Sequence, residues 1–146
     1  MLRIEESVEI SLPPVRVYEF IADVNNLTRC SDVITEVHNA PDRAVQVGDT
    51  YTTKATVMGR TVTTAHRVVT ADPPNRLEMD GKNGTLNLKV VIVFEPSDSG
   101  TRVTQIGEGE LGGALRFVRP VVERTVRQQV RGDLANLKRI LEEHSS

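Results

Sequence analysis

The stretch that decides the fold is LRFVRPVVERTVRQQVRGDLANLKRILEE, residues 115–143. It contains one proline and one glycine, and its apolar residues recur at helical spacing. At 100° per residue, Leu115, Val118, Val122, Val126, Val130, Leu137 and Ile140 share one broad stripe. Pro120 removes a backbone donor and clashes one turn back, so it predicts a bend or a restart there. The helix expected here would run roughly 40 Å at 1.5 Å per residue, enough to cross a whole sheet.

Upstream the pattern changes to β. Segments 33–39, 49–58, 60–71, 76–81, 85–95 and 101–111 read as strands, separated by Gly59, Asp72-Pro73-Pro74, Asn83-Gly84 and Asp98-Ser99-Gly100. Asn83-Gly84 predicts a two-residue hairpin loop, because both residues tolerate positive φ. The connections are short, so neighbouring strands should pair antiparallel.

At the N-terminal end, residues 2–12 alternate. Leu2, Ile4, Val8, Ile10 and Leu12 share one face with a single polar intruder, Glu6. Pro13-Pro14 then stops the strand and suits a first helical turn. Val17, Phe20, Ile21 and Val24 continue at helical spacing, and Asn25 to Ser31 reads as a loop or one further turn. The sum is α+β: a seven-stranded curved antiparallel sheet, two short helices after its first strand, and one terminal helix to cover the apolar face. One domain over 1–146 is expected.

Composition narrows the function classes. An apolar share of 38% and a charged share of 26% fit a packed globular chain, and a net charge of −2 gives no general attraction to nucleic acid or anionic membranes. A lone cysteine, Cys30, allows no internal disulfide and suits a reducing compartment. Met1 to Glu6 carry no apolar core of signal-peptide length, and the longest purely apolar run is Val90 to Phe94. A cytoplasmic location, as monomer or homodimer, is the expectation.

Inward faces follow from charge. In 85–95 the even positions Leu86, Leu88, Val90, Ile92 and Phe94 are apolar. In 101–111, Arg102, Glu108 and Glu110 must face out, leaving Val103, Gln105, Gly107 and Gly109 inside. In 49–58, Tyr51, Thr53, Ala55 and Val57 are placed inward. In 60–71 the inward set is either Val62, Thr64, His66 and Val68 or Ala65, Val69 and Ala71. The first is favoured because Arg67 then meets solvent, but a one-residue slip would exchange the two.

The expected pocket lining is therefore Tyr51 and Thr53, then Val62, Thr64 and His66, then Met79, with Leu88, Val90 and Gln105 beyond. Val118, Val122 and Gln129 would face them from the helix. With aromatics at 3% and small side chains dominating the inner face, the sheet should not fill its own interior. His66, or Tyr51, is the candidate for proton transfer, although no sequence neighbour supplies an orienting carboxylate. The other reading of His66 is a hydrogen-bonded structural histidine. His38 and His144 suggest no role, and Cys30 reads as a small buried filler.

Two further patterns need weighing. Gly107-Glu108-Gly109-Glu110-Leu111-Gly112 spells a dinucleotide fingerprint, but no second parallel strand follows and two glutamates would repel a pyrophosphate. Without a P-loop, H-E-x-x-H or C-x-x-C, no cofactor or metal is expected. Arg116, Arg124, Arg127, Arg131 and Lys138 align beside the apolar stripe. Arg124, Arg127 and Arg131 could meet a membrane or an acidic protein, or simply form a solvated face with local ion pairs. Nucleic acid is not expected, because no aromatics interleave them.

The chain also resembles the SRPBCC or START-like superfamily, in its polyketide cyclase/dehydrase-like branch. The resemblance rests on Ser7-Val8-Glu9-Ile10 with Pro13-Pro14 and Val17-Tyr18, then Ala22-Asp23 and Val47-Gly48-Asp49-Thr50-Tyr51. It continues through Val68-Val69-Thr70-Ala71-Asp72-Pro73-Pro74-Asn75-Arg76-Leu77, Gly100-Thr101-Arg102-Val103-Thr104 and Asp133-Leu134-Ala135-Asn136-Leu137-Lys138. Members often carry a tryptophan about where Cys30 stands, and this chain has none. The resemblance implies a helix-grip fold whose cavity holds lipids, polyketides or other apolar molecules. It implies no one activity, since the superfamily mixes carriers, enzymes and regulators. The expectation is a carrier of a small hydrophobic ligand. The alternatives are a cyclase, aromatase or dehydratase using His66 or Tyr51, and a stress- or toxin-like regulatory module.

Overall fold

The computed structural model describes residues 2–57, 59–84, 86–111 and 113–143, with side chains described throughout except at 113–115. The strands are β1 (Leu2–Ile10), β2 (Ile34–His38), β3 (Thr50–Val57), β4 (Arg60–Asp72), β5 (Arg76–Asn83), β6 (Leu86–Ser97) and β7 (Gly100–Gly109). They form one antiparallel sheet in the order β1-β7-β6-β5-β4-β3-β2. The meander pairs each strand with its sequence neighbour, and β1 closes onto β7 through a nine-residue register from Leu2↔Gly109 to Ile10↔Thr101. Helices α1 (Pro14–Ala22) and α2 (Leu27–Cys30), with a 3-10 turn at Val24–Asn26, follow β1. Pro14 opens α1 at a position whose N–H would be unpaired anyway.

The terminal segment departs from the expectation of a single helix over 115–143. A 3-10 segment, Gly113–Val118, precedes α3 (Arg119–Glu143). Pro120 thus lies in the first turn of α3, where its missing donor costs nothing, so it marks a restart and not a bend. The Asn83-Gly84 expectation also moves by one residue: Asn83 still pairs with Leu86, so the two-residue loop is 84–85, of which Thr85 lies outside the described residues.

Alternation sorts each strand as expected. His66 faces inward and Arg67 outward; a bulge between Val68 and Thr70 then turns Ala71 to the core side. The core joins Ile10, Val17, Tyr18, Val68, Leu77, Phe94 and Val103 to Val130, Leu134, Leu137 and Leu141 of α3. Leu134 and Leu141 were not on the expected stripe. The leading half of α3 is not seated this way: Val121 is exposed, and Val118 just before it is 45% exposed, although a lining role was expected for Val118. Leu115 has its side chain outside the described residues. Close approach of α3 to the sheet is along the β1 edge, so the helix does not press on every strand.

Polar contacts fix this seating. Arg127 Nη1 and Arg131 Nε both donate to Glu6 Oε1, at 3.2 and 2.7 Å. Farther along, Lys138 Nζ donates to the Glu9 carbonyl at 2.6 Å, and Glu142 accepts from the Ser11 amide at 2.9 Å. The intruding Glu6 is therefore the inner-face counter-charge for the helix, and the basic stripe is largely consumed within the molecule. Just past the same end of β1, Thr101 Oγ1 donates to the Leu12 carbonyl at 2.7 Å. Gly100 (φ +146) passes so close that a Cβ there would run into the backbone of Ile10 and Leu12.

Packing is uneven in a way that substitution can read. Phe94→Ala should cost about 3–5 kcal/mol in urea denaturation, since Phe94 is 2% exposed and meets Tyr18 edge-on. Gly107→Ala, also on the inner face, should lie within about 1 kcal/mol of wild type, because no atom lies within 4 Å of the added Cβ. A loss at Gly107 as large as that at Phe94 would mean the space is filled.

Candidate binding site

The inner face of the sheet can be followed row by row through the pairing register. One row runs Tyr51, His66, Gly81, Leu88, Gly109, Leu2 from β3 to β1. The next runs Val68, Met79, Val90, Gly107, Ile4. Three of these inward positions, on β5 and β7, are glycine, so the inner layer of side chains is thin there. Leu88, Val90, Gln105 and Gly107 are only partly buried, unlike the packed positions on either side. Leu88 leans over Gly109, with Cδ2 2.9 Å from where a Cβ would stand.

The polar group of this face is built on β3 and β4. Tyr51 and His66 are cross-strand partners whose rings stack, with centroids 4.7 Å apart and planes inclined by 16°. The neighbouring inward pair, Thr53 and Thr64, is buried, and Thr53 Oγ1 shares a hydrogen bond with His66 Nε2 at 3.0 Å. Nδ1 has no hydrogen-bond partner among the described residues. No carboxylate orients the ring. Desolvation pushes the His66 imidazole down to about 4 and pushes the Tyr51 hydroxyl upward. Both groups are held neutral at physiological pH, which suits hydrogen bonding better than proton shuttling.

The remaining lining residues expected from sequence fall into two groups. Val62, Thr64, Met79, Leu88, Val90 and Gln105 share the inner face with His66. Val122 and Gln129 of α3 are half-buried, and Val118 is exposed. Gly107 borders open space, whereas Gly81, which was not singled out from sequence, is buried against Thr64 and His66. Its signal was the alternation Leu77, Met79, Gly81 on β5. A separate groove of about 840 Å³ crosses the outer face, walled by Arg67, Asp80, Lys89 and Glu108 over the backbone of the Tyr51 to Gly109 row. Those charges alternate in sign across paired strands on the solvent side, so the groove is not the expected apolar pocket.

The other sequence candidates lie elsewhere. His38 bonds Glu36 at 3.0 Å on the surface, and His144 lies outside the described residues. Cys30 is half-buried, and desolvation raises its thiol to about 11, far from a nucleophile's range. Beside it, between α2 and α3, lies a group that the sequence reading missed. Asp133 bonds the Ser31 hydroxyl and is raised to about 7, first by desolvation and then by the nearby charge of Asp32. Asn136 Nδ2 ties this corner together by donating to the Cys30 carbonyl at 2.7 Å. Among the described residues, no cluster of His, Cys, Asp and Glu could hold a metal ion, and no helix is long and apolar enough to cross a membrane.

These two shifts act in opposite directions on stability. His66 is depressed from 6.5, so what it contributes as a neutral group is full above about pH 6.5 and falls away as pH drops towards 4. NMR of the ring protons should show no titration from pH 8 to 6 and a midpoint near 4; a midpoint near 6.5 would mean an imidazole open to water. Asp133 is raised from 3.8, so its contribution is full below that value and is lost as pH rises through 7. Asp133→Asn should therefore gain stability relative to wild type between pH 4 and pH 7 in urea melts. A pH-independent difference would place Asp133 in water.

Comparison with known proteins agrees with the geometry. No curated protein sequence matches the chain significantly. Among solved structures, TTHA0849 from Thermus thermophilus superposes with a TM-score of 0.82 at 23% identity, over 99% of each chain. The Zhui aromatase/cyclase from Streptomyces sp. R1128 gives 0.81 at 16% identity, over 99% of this chain and 95% of that one. Ara h 8.0201 gives 0.71 at 15%, over 97% of each. At these identities the likeness is one of fold: a curled antiparallel sheet around a long C-terminal helix. The sequence model for polyketide cyclase/dehydrase and lipid transport proteins matches residues 1–142, and the chain belongs to that family.

Proposed function

We propose that this protein binds a small hydrophobic molecule between the inner face of the sheet and the leading half of α3, holding it without covalent chemistry. The observation that carries this reading is the glycine-thinned inner face, where Gly107 would accept a side chain without touching anything and Leu88, Val90 and Gln105 stay partly accessible. Burial of apolar ligand surface at roughly 25 cal/mol per Å² supports micromolar affinity without a reaction. Tyr51, Thr64, His66 and Gln105 would orient the ligand.

The cyclase or dehydratase reading finds less support. A general base for such chemistry works best near the operating pH, whereas His66 is pushed to about 4 and faces no carboxylate. A regulatory surface on α3 is likewise narrowed, since Arg127 and Arg131 are engaged by Glu6. Any contact with a membrane or an acidic protein would run through Arg124 and the exposed Arg116, Phe117, Arg119 and Val121 ahead of it.

Native mass spectrometry of protein purified from its own source should show a stoichiometric apolar adduct under gentle conditions that is lost on denaturation. Gly107→Trp, which fills the open space, should remove the adduct while the unfolding free energy in urea stays within about 1 kcal/mol of wild type. An adduct retained by Gly107→Trp would place the ligand elsewhere. Wild-type protein without an adduct, and without a thermal shift in fatty acids, polyketides or sterols, would overturn the reading.

A further inference from the structure

From Arg116 to Val121 every side chain is exposed, and the run includes Phe117 at 78%, Val118 at 45% and Val121 at 54%. The other aromatic rings are sheltered: Tyr18, Tyr51 and Phe94 are buried and Phe20 is half-buried. Phe117 is therefore the ring left in water, in a contiguous apolar run that stabilises nothing in the fold. Such a run marks an interaction surface.

Charge says what kind. Arg116, Arg119 and Arg124 interleave with these apolar residues, and Arg116 Cζ lies 5.4 Å from the centroid of the Phe117 ring. At 100° per residue, Val121, Arg124 and Gln128 fall within about 60° of arc on the solvent side of α3, away from Val126 and Val130. Arg127 and Arg131 are neutralised by Glu6, but Arg116, Arg119 and Arg124 form no ion pair with any described residue. Glu123, the single acid between 116 and 124, is bonded to Arg127 Nη2 at 3.2 Å.

Unpaired arginines beside exposed apolar side chains match a surface that is anionic outside and apolar beneath, which is the chemistry of an anionic bilayer. A second copy fits less well, because a two-fold contact would set the same arginines against each other. A protein partner would need a broader patch, about 20–30 residues a side, and beyond Val121 the described part of α3 exposes no large apolar residue. We propose that Arg116–Arg124 docks the protein peripherally on an anionic lipid surface, with Phe117 and Val121 entering the acyl boundary and the three arginines at the headgroup phosphates. The inference goes beyond the binding reading and does not depend on a ligand in the interior.

The chain contains no tryptophan, so Phe117→Trp supplies a single fluorescent reporter in the full-length protein. With vesicles of phosphatidylcholine and phosphatidylglycerol in equal parts, its emission should move to the blue and be quenched by brominated acyl chains. Pure phosphatidylcholine, or about 1 M salt, should prevent both changes. Val47→Trp, at an exposed position outside the segment, should show neither. In vesicle co-sedimentation, replacing Arg116, Arg119 and Arg124 together by Ser should weaken binding about a hundredfold, about fivefold per arginine, and Phe117→Ser about tenfold. Replacing the exposed Arg16, Arg60 and Lys82 together by Ser, an equal change of charge, should stay within about fivefold of wild type. Wild type that fails to sediment with anionic vesicles, an unmoved indole at position 117, or a scattered-charge variant that loses as much as the segment variant overturns the docking. Self-association in ultracentrifugation that Phe117→Ser abolishes would also overturn it, by assigning the patch to a second copy. None of these results touches the ligand reading, which the mass spectrometry tests separately.

Discussion

A curled antiparallel sheet with one apolar face must hide that face, and in this protein a single helix does so over only part of its length. Val130, Leu134, Leu137 and Leu141 complete the core against Leu77, Phe94 and Val103. Ahead of them, Val121 at the start of α3 is exposed, and inward positions of β5, β6 and β7 are glycine or half-accessible. The difference between those two halves is the origin of everything functional proposed for the molecule. A fully packed interior would leave no room for a ligand, and a fully open one would not pay the entropy of folding.

Charge determines where the closed half ends. Glu6 alone would be an unpaired carboxylate on an apolar surface, an unfavourable state. Its two arginine partners sit one helical turn apart on α3, so the interaction sets both the rotation of the helix and its position along β1. The bonds from Lys138 and Glu142 to the far end of the same strand do this again two turns later. A helix held along one sheet edge by polar contacts can leave a gap above the middle strands, and His66, Gly81 and Val90 lie on those strands.

The polar groups of the interior share a second feature, which is neutrality. Tyr51 stacks on His66 and Thr53 hydrogen-bonds it, with the buried Thr64 alongside, and burial keeps the two ionisable members uncharged. Such a patch discriminates by hydrogen-bond geometry and shape and not by charge. The half-buried Asp133 has the contrary character, a carboxylate short of counter-charge where α2 meets α3, and it links helix packing to pH.

Much of this could be read from the chain by itself. Two-residue periodicity gave every strand, and helical periodicity gave the terminal helix; the placement of Arg67, Arg102, Glu108 and Glu110 in solvent fixed which faces look inward, because a charge has no stable place in an apolar layer. The same rule favoured an inward His66, with a one-residue slip left open, and the pairing with Tyr51 and Gly81 decided it. Other features depend on which parts of the chain meet in space. Glu6 looked like an interruption until two arginines more than a hundred residues away met it. Pro120 was ambiguous until the 3-10 segment before it placed it in a first turn. Gly81 continues the alternation of Leu77 and Met79 on β5, but that His66 and Thr64 lie against it was visible only in the fold. Local sequence determined periodicity, faces and turns, since these are set by backbone geometry and solvation. Tertiary structure decided the pairing of distant charges, the half of the helix that closes, and the space that remains, because each is a property of packing between segments and belongs to no segment alone.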